Sequence, residues 1–212
     1  SSDNTIQIIE NYLGDSRIQL FKQKSNYGAG VSRNLAIKNS KGRFIAFCDS
    51  DDYWFKTKLQ LHIEFMLKNK LALSYTDYYI LQSPHKPMKK IKSLPFVNFN
   101  QMLKNNYIGC LTAIYDTRTL GKVYMSPIRK RQDWILWLEI LKKTKKAIGL
   151  TIPLSVYDAS NVSLSSNKLK LVKETWYVYN VHLNYSMIKS TYLFSRFMYY
   201  YVLNKKFRNK NG

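Results

Sequence analysis

The sequence predicts a single α/β domain, and three observations lead to this fold class. Helical and strand-like hydrophobic patterns alternate along the chain, as they do when helices cover the faces of a sheet. The short apolar run at residues 44–48 is typical of a strand buried on both faces. A length of 212 residues, 45% of them hydrophobic, suits one domain whose core offsets the entropy lost when the chain orders.

The first half of the chain is predicted from hydrophobic spacing and from glycine and polar breaks. Helices show apolar residues three or four positions apart, and strands show short alternating or continuous apolar runs. The elements expected in order are helix 5–13, strand 18–21, glycine turn 26–30, helix 31–39, strand 44–48, helix 56–68 and strand 71–80.

The second half is predicted in the same way, with a sheet that is mixed and mostly parallel. A loop rich in proline and lysine precedes further helices and strands, and a polar break precedes a basic, aromatic helical tail. These segments are loop 83–95, helix from 99, strand 110–115, helix 135–143, strand 147–156, break 161–167 and tail 169–207. Two parts are expected: a catalytic domain over residues 1–165 and a helical C-terminal extension over 166–212.

The charge balance indicates an anionic partner, because 34 Lys and Arg face 13 Asp and Glu, a formal net charge of +21. Nucleic acid, acidic lipid headgroups or a phosphorylated small molecule would each satisfy it. Cys48 and Cys110 are too few for a disulfide framework or a four-cysteine zinc site, and we expect two buried free thiols. No apolar run reaches the roughly 18 residues of a membrane-spanning helix, so a cytoplasmic chain is expected.

Residues 49–52 are the most chemically distinctive segment, with Asp49, Asp51 and Asp52 directly after the apolar strand. In open α/β sheets, ligands bind at the carboxyl ends of the strands. Carboxylate oxygens suit Mg²⁺ or Mn²⁺, and such an ion commonly joins one or two carboxylates to substrate phosphates. The motif therefore indicates a metal-dependent site for a nucleotide diphosphate. The alternative is an acidic turn that caps the following helix.

Two glycines, Gly28 and Gly30, precede the helix at 31–39, and Arg33 lies one turn inside it. Accessible backbone N–H groups beside an arginine favour an anionic ligand. The pattern matches neither a dinucleotide-binding fingerprint nor a P-loop. An ordinary glycine turn with an exposed arginine is therefore its alternative.

Asp133 is the second acidic candidate, set between Arg131 and Trp134 just before a helix. A carboxylate at this position suits a general base that acts on a hydroxyl nucleophile. A helix N-terminus stabilises any carboxylate, so a simple cap is the alternative. The three histidines are scattered and suggest no Ser-His-Asp arrangement.

Taken together, three segments resemble a family 2 glycosyltransferase of the GT-A fold, a Rossmann-like fold that binds nucleotide sugars. The order and spacing match over roughly residues 1–165, and the joint occurrence is more specific than any one segment. The segments are Asn26-Tyr-Gly-Ala-Gly-Val-Ser-Arg-Asn, Gly42-Arg-Phe-Ile-Ala-Phe-Cys-Asp-Ser-Asp-Asp-Tyr-Trp with Lys58-Leu, and Arg131-Gln-Asp-Trp-Ile-Leu-Trp-Leu.

The resemblance implies an inverting transfer of a sugar from a nucleotide-diphosphate donor to an acceptor hydroxyl. Asp51 and Asp49 match the DxD motif, which holds the donor and a Mn²⁺ or Mg²⁺ cofactor. Gly28, Gly30 and Arg33 match the stretch that lines the nucleotide pocket. The implied acceptor is a glycan or a lipid-linked sugar, in bacterial surface polysaccharide, lipopolysaccharide or capsule synthesis.

The same resemblance makes Asp133 the catalytic base, with Gln132 where the family often has glutamate. Trp134 and Arg131 are predicted to shape the acceptor pocket, whereas the helical spacing of Trp137 favours a place in the core. Members of the family usually begin with a strand-helix-strand unit of about thirty residues. A sequence that opens at Ser1-Ser2-Asp3 is expected to lack that unit.

The tail at 169–207 interleaves Tyr, Phe, Leu and Met with Lys and Arg. This pattern favours a helix lying on an anionic bilayer, peripheral on the inner face of the plasma membrane. A helical cap packed on the catalytic domain is the alternative. Two other functions fit parts of the sequence: a nucleic-acid-binding basic module, which the acidic cluster opposes, and an inactive transferase-derived scaffold.

Overall fold

The chain is represented by a computed structural model that describes residues 4–160 and 168–210. Helices and strands alternate along it, which confirms the predicted α/β class. The helices are α1 Thr5–Glu10, α2 Ala29–Asn39, α3 Lys58–Lys68, α4 Phe99–Met102, α5 Thr117–Leu120, α6 Gln132–Lys143, α7 Lys168–Tyr177 and α8 Met187–Lys210. The strands are β1 Phe44–Ala46, β2 Tyr53–Trp54, β3 Leu73–Leu81, β4 Lys89–Ile91, β5 Phe96–Val97, β6 Ile114–Asp116 and β7 Ala147–Asp158.

The strands form one seven-stranded sheet in the order β1-β6-β3-β7-β2, with β4 paired to β3 and β5 paired to β7. The sheet is mixed, as predicted, but the expectation of mostly parallel pairing is wrong. β3 and β7 pair in parallel, while the other pairings in the described part of the chain are antiparallel. A continuous apolar run indicates that a strand is covered on both faces, but it does not indicate whether the strand pairs in parallel or antiparallel.

The core lies between this sheet and α6. Residues 73–77 of β3 are buried on both faces, and α6 buries eight of its residues, so apolar side chains surround both elements. The Trp137 side chain is fully buried and packs edge-to-face on Phe47 with ring centroids 6.2 Å apart, which confirms its predicted place in the core. Each such side chain stabilises the fold by about 1.5–3 kcal/mol. This packing fixes the helix whose first turn carries Asp133.

The C-terminal helices are part of the same core. α7 continues into a π-helical turn at Val178–His182, and α8 follows. Tyr179 and Phe197 are buried against Trp134, with ring centroids 5.7 and 5.3 Å away. The predicted polar break and the boundary at residue 165 lie outside the described residues. Within the described ranges, no helix has both the length and the apolar character that crossing a bilayer requires.

Several local predictions are wrong. Residues 18–21 form no strand, and the lysine-rich loop contains β4, which pairs its backbone with β3. Backbone pairing with a neighbouring strand overrides the weak propensity of lysine for sheet structure. The predicted strand at 110–115 begins as a 3-10 turn, Cys110–Thr112. Cys48, predicted to be buried, is exposed because it directly precedes the turn at the sheet edge.

Candidate active site

The acidic segment forms a tight turn between β1 and β2. The Asp52 N–H donates to the Asp49 carbonyl oxygen at 3.0 Å, which closes the turn. β2 pairs with β7, and this pairing brings the end of β7 beside the turn. There the Asp158 N–H donates to Asp52 Oδ1 at 3.3 Å. The acidic turn therefore follows the carboxyl end of β1, where the sequence places it, and lies beside the carboxyl end of β7.

The electrostatics of the turn suit a cation. Burial, and then the charge of Asp49, raises the pKa of Asp52 to about 7, and Asp51 and Asp158 add to the repulsion. These carboxylates are close enough to disfavour one another, and a divalent ion would relieve that repulsion. No cluster of three or more His, Cys, Asp or Glu side chains suited to hold a metal occurs within residues 4–160 and 168–210. The donor set fits an ion that takes its remaining ligands from substrate phosphates and water.

Arg33 joins α2 to the acidic turn. Its guanidinium donates to Asp49 Oδ1 and forms an ion pair with that carboxylate. Burial by itself lowers the pKa of Arg33, but the thiolate that Cys110 forms only at high pH, the hydrogen bond to Asp49 and the charges of Asp49 and Asp133 together outweigh burial and raise that pKa. Arg33 therefore stays charged between the two acidic candidates of the sequence.

The two glycines before Arg33 allow a backbone conformation and a close contact that a side chain would prevent. Gly28 has a φ of 89°, in the left-handed region that favours glycine. Gly30 is buried, and a Cβ there would lie 2.7 Å from Gln132 Oε1 and 2.9 Å from the Ser126 carbonyl oxygen. The absence of a side chain therefore lets α2 approach the start of α6. This contact couples the predicted donor loop to the helix that carries Asp133.

Asp133 lies in the first turn of α6, which begins at Gln132, three residues earlier than predicted. The Asn106 side-chain amide donates to Asp133 Oδ2 at 2.9 Å. Burial raises the pKa of the Cys110 thiol, followed by the charges of Asp133 and, more weakly, Asp49. Both aspartates contribute to the electrostatic environment of Cys110 and of Arg33, so the predicted base and the predicted donor site lie near the same two side chains.

Trp134 and Arg131 are placed differently from the expectation of an acceptor pocket. Trp134 is fully buried, and its indole N–H donates to the Met102 carbonyl oxygen at 2.8 Å. Arg131 has a φ of 64° and lies over the rings of Trp134 and Phe197, at 5.4 and 5.0 Å. These contacts favour a role in holding the start of α6, and contact with an acceptor stays a prediction.

Three residues of the site had no functional prediction attached to them. Asp158 was accessible to sequence reasoning, since it ends a strand as the acidic cluster does. Asn106 and Cys110 were not, because only tertiary packing brings them to Asp133. No local pattern distinguishes an amide that donates to a distant carboxylate from one in an ordinary loop.

Comparison with known proteins identifies the family. The profile of the family described as glycosyl transferase family 2 matches residues 1–125, which is more than half of the chain. The chain belongs to glycosyl transferase family 2. The matched residues include α2 and the acidic turn, and they end shortly before Asp133. The family match therefore covers α2 and the acidic turn, the half of the site that is predicted to bind the donor.

Two bacterial relatives extend the family 2 match over the rest of the chain. A putative teichuronic acid biosynthesis glycosyltransferase of Bacillus subtilis is 39% identical over 199 residues, which cover 93% of this chain and 79% of the relative. An Escherichia coli protein named UDP-Glc:alpha-D-GlcNAc-diphosphoundecaprenol beta-1,3-glucosyltransferase is 38% identical over 217 residues. That alignment covers 100% of this chain and 83% of the relative. The similarity therefore includes the region of Asp133.

Solved structures match the family 2 fold. S. aureus TarS 1–349 in complex with UDP superposes with a TM-score of 0.66 at 20% identity, covering 93% of this chain and 59% of that one. Its complex with UDP-GlcNAc gives a TM-score of 0.65. The chain thus spans about three fifths of the solved chains. This likeness confirms the predicted GT-A fold.

Proposed function

We propose that the chain transfers a sugar from a nucleotide-diphosphate donor to a hydroxyl of a glycan or lipid-linked acceptor, with inversion, in bacterial surface polysaccharide synthesis. One observation carries the proposal: the half-buried Arg33 guanidinium is ion-paired with Asp49 and also experiences the charge of Asp133, which supports a donor site that adjoins a base. Family 2 membership and the names of the two bacterial relatives support it. UDP and UDP-GlcNAc in the TarS complexes support a uridine nucleotide donor.

The acidic turn is assigned to the donor. Asp49 and Asp51 would hold Mn²⁺ or Mg²⁺, and Arg33 with the α2 start at Gly28 and Gly30 would face the nucleotide. The ion, when bound, offsets the negative charge that develops on the departing diphosphate. The raised pKa of Asp52, caused by burial and then by the charge of Asp49, supports this assignment, because a cation would stabilise the ionised carboxylates of the turn.

Asp133 is assigned to the acceptor. Asn106 fixes the carboxylate through Oδ2, and we assign Oδ1 to the acceptor hydroxyl. The acceptor hydroxyl gives its proton to Asp133 while the hydroxyl oxygen forms a bond to the anomeric carbon of the donor sugar. The bond from that carbon to the diphosphate breaks in the same step, so the configuration inverts. Arg131 and Trp134 are positioning residues, since they hold the first turn of α6.

The test separates the two halves of the site. Asp133→Asn is expected to lower turnover by about 10²-fold or more while UDP affinity stays unchanged. Asp51→Ala is expected to weaken Mn²⁺-dependent UDP binding, measured by calorimetry with UDP, GDP and dTDP. Glu64→Gln, on the exposed face of α3, is the matched control. Undiminished transfer by Asp133→Asn would remove the base assignment.

We also propose that α8 rests on an anionic membrane surface, on the inner face of the plasma membrane. Ile188, Tyr192 and Tyr199 lie on one face of α8 and are 85, 61 and 62% exposed. Apolar and aromatic side chains on one helix face, in a chain of net charge +21, suit a headgroup region rich in anionic lipid.

Point substitutions test this better than deletion, because the opposite face of α8 belongs to the core. Changing Ile188, Tyr192 and Tyr199 to serine is expected to reduce cosedimentation with anionic vesicles and leave UDP binding intact. Equal sedimentation of the triple variant and the parent chain would remove the membrane assignment.

A further inference from the structure

Lys58 belongs to one of the three segments that resemble the family, and neither the donor site nor the base uses it. It is the first residue of α3, and its side chain is fully buried. A lysine is almost never fully buried unless a carboxylate pairs with it, and none of the ion pairs between described residues includes Lys58. A cation at this end of α3 also opposes the helix dipole. The buried ammonium therefore serves something other than α3 itself.

The Lys58 ammonium is directed at the Cys110–Thr112 turn. Its Nζ donates to the Thr112 carbonyl oxygen at 3.4 Å and lies 5.2 Å from the centre of the Trp54 ring. The Trp54 indole N–H donates to the Leu111 carbonyl oxygen at 3.1 Å. Carbonyl groups at the end of a helical turn have no partner within the turn and carry partial negative charge. Lys58 and Trp54 therefore hold the end of this turn by two adjacent carbonyl groups.

The ammonium is mostly charged near neutral pH. Burial lowers the pKa of Lys58 to about 8, so protonation still dominates under ordinary conditions. The attraction between a charged group and a carbonyl dipole is stronger in a buried site than in water. Full burial also keeps Lys58 from touching a substrate. Its influence on the reaction must therefore act through the turn.

The Cys110–Thr112 turn faces the proposed active site on its other side. Cys110, its first residue, lies within electrostatic reach of Arg33 and Asp133. Asn106, which precedes the turn, donates to Asp133 Oδ2 at 2.9 Å. The turn and the residues before it therefore lie between Lys58 and the proposed base.

The segment from Asn106 to the turn is connected by its own hydrogen bonds. The Gly109 carbonyl oxygen accepts from the Thr112 backbone N–H at 2.9 Å and from the Thr112 hydroxyl at 2.7 Å. The Ile108 backbone N–H donates to Asn106 Oδ1 at 3.4 Å. Because these bonds tie the segment together, a shift of the Thr112 carbonyl is passed on to the Asn106 amide.

We propose that Lys58 is a positioning residue for sugar transfer. Its ammonium, with the Trp54 indole, fixes the Cys110–Thr112 turn, and the turn places the Asn106 amide that orients the Asp133 carboxylate. The proposal rests on the proposed function and adds a residue that acts on the base from the side of the acidic turn. Trp54 and Lys58 follow that turn directly in the sequence, so one short stretch of chain contributes to both halves of the site.

The first test removes the ammonium and keeps the length of the side chain. Lys58→Met is expected to lower kcat by about tenfold or more, because Asp133 loses its alignment. Mn²⁺-dependent UDP binding is expected to stay unchanged. Turnover is measured as UDP released from UDP-glucose with octyl glycosides and alkyl sugar diphosphates as acceptors. Urea unfolding is expected to show no matching loss of stability, since removal of a buried charge relieves its desolvation cost.

Further variants separate positioning from general damage. Lys58→Arg keeps a charged donor and is expected to retain more of kcat than Lys58→Met. Trp54→Phe keeps a ring, loses the indole N–H and is expected to lower kcat in the same direction. Lys58→Met/Asn106→Ala is expected to lower kcat no further than the more damaging single change, because both act on Asp133 through one segment. Lys56→Met, at an exposed position, is the matched control.

The carboxylate ¹³C signal of Asp133, assigned with Asp133→Asn, reports the contact with Asn106 without turnover. Lys58→Met and Asn106→Ala are both expected to move this signal, and Lys56→Met is not. A folded Lys58→Met chain with the kcat of the parent would overturn the proposal. So would a fall in UDP affinity that matches the fall in kcat, which would assign Lys58 to the donor site.

Two further outcomes are decisive. If Lys58→Met does not fold, an unchanged kcat in Trp54→Phe overturns the proposal and a lowered kcat with unchanged UDP affinity supports it. A parent chain that transfers no sugar contradicts the proposed function instead. The ¹³C signal then decides the role of Lys58, because the proposal requires Lys58→Met to move it.

Discussion

At the level of single residues, His62 is a polar, titratable side chain in a buried position that does not suit it. It lies on the buried face of α3 beside Lys58, and neither ring nitrogen has a hydrogen-bond partner among the described residues. Burial, and then the charge of Lys58, lowers the pKa of His62 to about 3. An unpartnered buried polar group costs about 1–3 kcal/mol, so this position reduces the stability of the fold.

The first prediction follows from the sign of this shift. Below pH 6.5 the unfolded chain gains a proton at His62 that the folded chain binds only near pH 3, so stability falls as the pH decreases through this window. His62→Leu is expected to stabilise the chain, with a gain about 2 kcal/mol larger at pH 5 than at pH 8.

Urea unfolding at the two pH values measures this difference. His85→Leu, at an exposed position, is the control and should show no such dependence. An identical gain from His62→Leu at pH 5 and pH 8 would contradict the assigned burial of the ring.

Single residues of the site were predictable where a charged side chain lies at the end of a predicted strand or the start of a predicted helix. Asp49, Asp51 and Asp133 stand at the end of a strand or the start of a helix, where local pattern and charge reveal them. Asn106 contacts Asp133 across 27 residues of sequence, and no spacing rule connects the two. Its amide became part of the site only through the packing of α4 on α6.

At the level of elements, the helices followed their hydrophobic spacing and the short strands did not. α2, α3 and α6 agree with prediction to within about three residues because tertiary packing uses the faces that the sequence marks. β4 carries two lysines in three residues and forms because β3 offers an edge. Short edge strands depend on a partner more than on propensity, so their own sequence indicates them poorly.

The second prediction concerns the contact between α8 and α6. Phe197 of α8 lies under the Arg131 guanidinium at the start of α6. Phe197→Leu is expected to destabilise the chain by about 1 kcal/mol and to lower kcat, because the first turn of α6 and Asp133 lose their support. UDP affinity, which depends on α2 and the acidic turn, is expected to stay unchanged.

Steady-state kinetics with UDP titration measure both quantities, and Tyr199→Leu on the exposed face is the control. An equal fall in kcat for the two variants would argue against coupling through Arg131.

At the level of the whole molecule, the C-terminal helices complete the buried core. Tyr179, Leu193 and Phe197 belong to the same buried cluster as Trp134 and Trp137. Removal of α7 and α8 would leave Trp134 without Tyr179 and Phe197, the rings that cover it. The helices that carry the basic residues of the tail are therefore part of the folded core.

The third prediction is that truncation after residue 165 abolishes cooperative unfolding. The shortened chain is expected to lose its near-ultraviolet circular dichroism and to bind a hydrophobic dye, as collapsed states without fixed packing do. Ile188→Ser, in the exposed stripe of α8, should leave the transition intact. A truncated chain that unfolds cooperatively would establish an independent domain at residues 1–165.

The parallel pairing of β3 and β7 has a consequence for how the chain reaches this structure. The Ser74 hydroxyl donates to the Ile148 carbonyl oxygen across 74 residues of sequence. β7 pairs with β2, β3 and β5, all of which are synthesised well before it. Contacts this distant slow folding, because the loop between them must close before they contribute. During synthesis the centre of the sheet stays open until β7 emerges, and the exposed edge of β3 is then the site most prone to aggregation.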